Sequence, residues 1–191
     1  KFIGKDNISL ILGDNFFYGQ SLSEKLKRAS KLKKGAIIFS YPVKNPSRFG
    51  VVTVKGKKIV SLIEKPTNTN SNLAITGLYF FDNSVVKKTL SLKNSKRNEL
   101  EIIDLLKMYK KNNLLKTEAL GRGAAWLDAG TIEDFNQTSL FVSAIEKRQG
   151  LKIACLEEIA FLNKWINKNN LREAISFYGN CDYSKYLRGL F

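Results

Sequence analysis

Short apolar runs rich in β-branched residues alternate along this chain with segments of 3.6-residue periodicity, which restricts the fold to strands packed against helices. Residues 8–12, Ile-Ser-Leu-Ile-Leu, read as a buried strand, followed by Gly13-Asp14-Asn15 and a helix that Ser21 and Glu24 are spaced to open as a capping box. Residues 36–41 form a second apolar strand, leading into a proline-containing loop at 42–46. Residues 51–54 and 58–63 are two short strands turning at Gly56, and 73–81 is a near-continuous apolar strand. Helical periodicity covers 84–90 and 99–111, the second presenting Leu100, Ile103 and Leu106 to a core. Strands are expected at 114–120 and 124–127, then a long helix over 131–147 with Ile132, Phe135, Val142 and Ile145 on one stripe. Beyond Gly150 the pattern shifts to short helices at 157–165, 170–178 and 183–190. The expected architecture is a mixed, mainly parallel α/β sheet with helices on both faces over residues 1–150, and a helical appendage over 151–191.

Chemistry is bounded by what the chain lacks. Its 191 residues contain no histidine and two cysteines, which rules out zinc clusters and Cys-His or Ser-His catalysis within it. Carboxylates, lysines and backbone groups must do the work. No stretch approaches the roughly 20 apolar residues that cross a bilayer, so a cytoplasmic protein without a membrane partner is expected. The formal charge of +15 suits a polyanion partner in principle. The lysines are instead scattered over helical positions in a chain rich in Lys, Asn and Ile, so no nucleic-acid partner is expected. The positive field suits anionic small substrates such as sugar phosphates.

Two aspartates fall at strand-to-helix junctions, where open α/β sheets bind ligands: Asp14 after the first strand and Asp128 before Gly130-Thr131. Paired carboxylates without histidine suit Mg²⁺, a hard cation that keeps waters and bridges to phosphates. An Asx turn at Asp14 and a helix N-terminal role for Asp128 account for the same residues. Glu64-Lys65-Pro66 ends a strand with adjacent opposite charges. That pair suits a carboxylate accepting from sugar hydroxyls and an ammonium on a phosphate, or equally an exposed ion pair. Phe49-Gly50 closes the proline-containing loop and lets backbone approach a ligand.

Five blocks then stand together: residues 12–19 (LGDNFFYG), 48–52 (RFGVV), 64–66 (EKP), 74–79 (AITGLY) and 126–131 (WLDAGT). In order and spacing they resemble the glucose-1-phosphate thymidylyltransferase family, and the likeness continues through 146–150 and 157–161 to Asp182-Tyr183. The resemblance implies a nucleotidyltransferase-type, Rossmann-like fold and transfer from dTTP to glucose 1-phosphate, giving dTDP-glucose, a precursor of dTDP-rhamnose, and pyrophosphate. It also implies Asp14 and Asp128 as Mg²⁺ ligands, with Asp14, Lys65 and Asp128 catalytic. By the same resemblance Lys65 holds the sugar phosphate, Glu64 and the Gly50 backbone fix hydroxyls, and Phe49, Ile75, Tyr79 and Trp126 shape the sugar pocket. Gly19, Arg122, Glu158 and Ile159 match a regulatory site for the nucleotide-sugar product, and a homotetramer is implied for the whole protein.

The chain departs from the family pattern at three places. Phe49 stands where Tyr is usual, Ile103 where Thr is expected, and Ala129 where Thr is common, the first two bearing on sugar preference. The family's Gly-rich triphosphate loop and base-reading residues are not among the 191 residues. The expectation is therefore a carboxy-terminal two-thirds, inactive alone. A uridylyl-, cytidylyl- or adenylyltransferase, or a non-catalytic sugar-phosphate-binding protein, fits the same blocks.

Overall fold

The computed structural model describes residues 2–95 and 98–191 as two compact units, one ending at Gly130 and the other running from Thr131 to Phe191. In the first unit a six-stranded sheet is built from β1 (Ile8–Ile11), β3 (Ala36–Pro42), β4 (Val51–Lys55), β5 (Lys58–Ile63), β6 (Leu73–Phe81) and β7 (Leu115–Ala119). Strands β2 (Asn15–Gly19) and β8 (Ala124–Asp128) form a separate antiparallel pair. Three α-helices complete the unit: α1 (Leu22–Ala29), α2 (Val85–Leu90) and α3 (Ile102–Lys111).

The order is β5-β4-β6-β3-β7, with β1 also pairing β6. The sheet is mixed, as expected, but among the described pairings only β3 with β7 is parallel. The antiparallel balance has a local cause. The short link through Gly56 makes β4 and β5 a hairpin, and β6 then runs against β4, β3 and β1 alike.

Strand β6 explains its own composition. Successive side chains alternate across the sheet, so Ala74, Leu78 and Phe80 enter one apolar cluster with Ala29, Phe39 and Trp126, while Ile75, Tyr79 and Phe81 enter another with Ile103, Leu106 and Tyr109. Helix α1 lies on the first face and helices α2 and α3 on the second, and both faces of β6 are buried. Each large side chain so buried contributes about 1.5–3 kcal/mol. At the end of β6 the buried Asp82 accepts from the backbone N–H of Gly35 at 2.6 Å, from Ser84 and from the Tyr109 hydroxyl at 3.0 Å. Burial opposes its ionisation, yet these donors outweigh it and hold the carboxyl below the usual range.

Two local expectations fail in this unit. Strand β1 forms but is largely exposed: Leu10, Ile11 and the following Leu12 are 38%, 57% and 42% exposed, while Ile8 packs against the core. Ser21 precedes α1 with φ 63° and makes no side-chain cap, so the spacing to Glu24 does not become a capping box. Its left-handed backbone turns the hydroxyl away from the role that the spacing suggests.

The second unit is helical: α4 (Ile132–Gln149), α5 (Leu156–Leu162), α6 (Lys168–Tyr178) and α7 (Asp182–Arg188). Helix α4 falls within it, since the contacts divide the chain after Gly130. The reason is visible at the end of α4, where Glu146 pairs with Lys152 at 2.7 Å and accepts from the Ile153 N–H, tying the helix to the segment that leads into α5. Cys155, Leu171, Ile175 and Leu187 form this unit's core. The apolar stripe expected on α4 is only partly used, with Ile132 and Phe135 exposed. No helix among the described residues is long and apolar enough to cross a membrane.

Candidate active site

Asp14 occupies the turn between β1 and β2, and Asp128 is the last residue of β8. In the antiparallel ladder Asn15 faces Asp128, and the Ala129 N–H donates to the Asp14 carbonyl at 2.7 Å. Both carboxylates therefore come close to Gly130. A Cβ built there would lie 3.6 Å from Asp14 Oδ2 and 3.7 Å from Asp128 Oδ1. Gly130 sets no side chain against either carboxylate. Among the described residues no cluster of three or more His, Cys, Asp or Glu side chains forms a metal cage. A two-carboxylate donor set fits Mg²⁺, which is commonly held by one or two carboxylates with waters and substrate phosphates filling the rest.

Glu64 and Lys65 follow β5. Lys65 adopts φ 39°, a left-handed backbone uncommon for a residue with a side chain, and its N–H donates to the Phe49 carbonyl at 3.1 Å. Gly50 is locked to β6 by accepting from the Ile75 N–H at 2.7 Å. A Cβ on Gly50 would sit 2.9 Å from Ile103 Cδ1 and 3.2 Å from Glu64 Oε2, so the glycine is where the Glu64 carboxylate and the Ile103 methyl close together. A cleft of about 590 Å³ opens beside them, walled by Glu64, Lys65, Glu101, Ile103, Asp104 and Lys107 among others. Buried Tyr79 adjoins this group; burial raises its phenol pKa, and the nearby Glu64 charge raises it further.

The sugar-pocket candidates thus divide. Ile75 and Tyr79 share the cluster of Ile103, whereas Phe49 and Trp126 belong to the cluster on the opposite face, with ring centroids 5.0 Å apart in an edge arrangement. Phe49 connects the halves, since its ring meets Trp126 and its carbonyl holds Lys65. Asp14, Asp128 and Trp126 do not wall the cleft beside Lys65.

Asn15 stands inside one of the matched blocks, yet sequence reasoning misses its role. Its Oδ1 accepts from Trp126 Nε1 at 2.6 Å and from the Gly77 N–H at 3.0 Å, while its Nδ2 donates to Asp14 Oδ1 at 2.8 Å. Adjacency to Asp14 is the signal that the sequence does hold; the distant partners leave none.

The four regulatory candidates fall in both units. Gly19 ends β2 with φ 149°, and a Cβ there would be 2.6 Å from the Ala124 Cα, so the close approach of β2 to β8 already demands glycine. Arg122 lies exposed in the turn before β8. On α5, Glu158 accepts from the Tyr186 hydroxyl at 2.7 Å, and Ile159 is exposed.

A mixed sheet sandwiched by helices carries an acidic pair at one strand junction and a Glu-Lys pair at another. The nucleotidyl transferase family model matches residues 1–144, and the chain belongs to that family. It is 47% identical over 188 residues to the glucose-1-phosphate thymidylyltransferase of Neisseria meningitidis serogroup A, covering 98% of this chain and 65% of that protein. The enzyme of the same name from Mycobacterium tuberculosis is 42% identical over 186 residues, covering 97% of this chain and 64% of that one. The chain thus spans slightly under two-thirds of the curated relatives it matches. Among solved structures, a Bacillus anthracis protein described as a glucose-1-phosphate thymidylyltransferase in complex with a sucrose superimposes with a TM-score of 0.66. It is 34% identical, over 73% of this chain and 56% of that one. A UDP-glucose pyrophosphorylase complexed with UDP-glucose shares the fold, with a TM-score of 0.64 at 22% identity over 77% of this chain and 59% of that one.

Proposed function

We propose that this chain forms the metal- and sugar-phosphate-binding part of an enzyme that transfers a thymidylyl group from dTTP to glucose 1-phosphate. In that reaction a phosphate oxygen of glucose 1-phosphate attacks the α-phosphorus of dTTP, the bond to the β-phosphate oxygen breaks, and pyrophosphate leaves with the bonding pair. The products are dTDP-glucose and pyrophosphate. The observation that carries the reading is the approach of both the Asp14 and the Asp128 carboxylates to Gly130. They would hold Mg²⁺, which when bound neutralises phosphate charge.

The chain's own residues position the acceptor. Lys65 contributes a cation to the sugar phosphate, and its hydrogen-bonded backbone fixes where that charge starts. Glu64, beside Gly50, accepts from sugar hydroxyls, and the Gly50 backbone comes close enough to add a contact. Ile75 and Tyr79 back the side that carries Glu64 and Ile103, and Phe49 links that side to Trp126 on the opposite face. Such transfer needs alignment and charge stabilisation more than a covalent intermediate, which suits a site without histidine. In this reading the enzyme works in the cytoplasm as a homotetramer, and Gly19, Arg122, Glu158 and Ile159 contribute to a product-sensing site.

The test is pyrophosphate release from dTTP and glucose 1-phosphate with Mg²⁺. It is run on the chain alone and on the chain joined to the portion of the meningococcal relative that it does not match. The joined protein is expected to turn over and to lose at least about 100-fold in rate with Asp128→Asn, the order of one lost electrostatic contact in a transition state. The chain alone is expected to bind glucose 1-phosphate calorimetrically without turnover. Absence of both binding and turnover overturns the assignment.

A further inference from the structure

We infer that Asn15 is a positioning residue: one amide sets both the rotamer of the Asp14 carboxylate and the placement of the Trp126 ring, coupling the acidic pair to the apolar wall. The inference rests on the metal role proposed above. Its hydrogen bonds have a single consistent arrangement. The Asn15 carbonyl oxygen has two lone pairs, and two N–H donors occupy them, Trp126 Nε1 at 2.6 Å and the Gly77 backbone at 3.0 Å. A flipped amide would set its NH₂ against both donors, so Nδ2 must point at Asp14 Oδ1, 2.8 Å away. With Oδ1 taken, the carboxylate turns Oδ2 toward Gly130 and Asp128.

The fold makes room for this amide at one place. A Cβ on Gly77 would lie 2.7 Å from Asn15 Cγ and Oδ1 and 2.8 Å from Nδ2. Gly77 is not among the positive-φ residues, so its missing side chain supplies space and not backbone freedom. Gly77 also anchors the chain just before Asp14, accepting from the Leu12 N–H at 2.9 Å. The carboxylate, the indole and the central strand are therefore referenced to one another through Asn15. Groups that orient ligating carboxylates in this way typically change metal affinity about 10- to 100-fold when removed.

The experiment uses the whole chain, with Mn²⁺ binding followed by electron paramagnetic resonance and the Trp126 indole N–H followed by NMR during Mg²⁺ titration, assigned against Trp165→Phe. Asn15→Ala is expected to weaken Mn²⁺ about tenfold and to abolish the response of the Trp126 signal to Mg²⁺. Gly77→Ala leaves Asn15 chemically intact but displaces its amide, and is expected to do the same; it decides the matter if Asn15→Ala fails to fold. Mn²⁺ affinity and an indole response equal to the unaltered chain in folded Gly77→Ala overturn the inference alone. No Mn²⁺ binding by the unaltered chain overturns the metal role with it.

Discussion

Asp14 and Asp128 are neighbours because β2 and β8 run antiparallel: the residue after Asp14 faces Asp128, and the residue after Asp128 donates its N–H to the Asp14 carbonyl. Backbone pairing thus brings the two residues together, and the geometry of their side chains can be perturbed without disturbing the core.

Gly130→Ala is the cleanest such perturbation. The added methyl would meet the two carboxylates at 3.6–3.9 Å, ordinary contact distance, so stability by urea denaturation should change by less than about 0.5 kcal/mol. The methyl nevertheless lies against both carboxylates, and Mn²⁺ affinity should fall at least about tenfold. Unchanged affinity would mean that the cation does not sit there.

Gly50→Ala should act on the sugar side. Its Cβ would press on Ile103 Cδ1 at 2.9 Å and Glu64 Oε2 at 3.2 Å, moving the carboxylate, and glucose 1-phosphate binding should weaken about tenfold by calorimetry. Adding Ile103→Val removes the crowding methyl and should recover part of that loss. Equal affinities for the single and double variants would show that Ile103 does not confine Glu64.

Asp82 makes the first unit sensitive to acid. Its folded pKa lies below the unfolded value, so its stabilisation is complete above the unfolded pKa of about 3.9 and disappears as pH falls through the folded one. Its donor Tyr109, whose phenol is pushed up to about 12 chiefly by burial, stays protonated throughout. Asp82→Ala strands buried donors and should cost about 2–3 kcal/mol at pH 7. In urea titrations that difference should hold down to about pH 5 and shrink below about pH 4. A difference independent of pH would assign the loss to packing instead.

The elements readable from sequence are those whose residues carry their own signal. β6 announces itself because both its faces are buried, and the β4–β5 hairpin because Gly56 separates two β-branched runs. β2 is not readable: five residues ending in glycine become a strand only by pairing with β8, about a hundred residues later, and periodicity holds no trace of so distant a partner. The same limit hides Asn15, whose role depends on Gly77 and Trp126, and the exposure of β1, whose apolar sequence does not record what lies against it. Asp14, Lys65 and Asp128 are nameable through the matched blocks; that the sugar-pocket candidates straddle two faces of the sheet is not.

The left-handed backbone of Lys65 sets selection for durability against selection for the phosphate contact proposed for it. Glycine or asparagine relaxes there by up to about 1 kcal/mol, so a library sorted only on heat resistance would discard the lysine. Retaining it would need a second sorting, for binding of the sugar phosphate that the proposed function assigns to it.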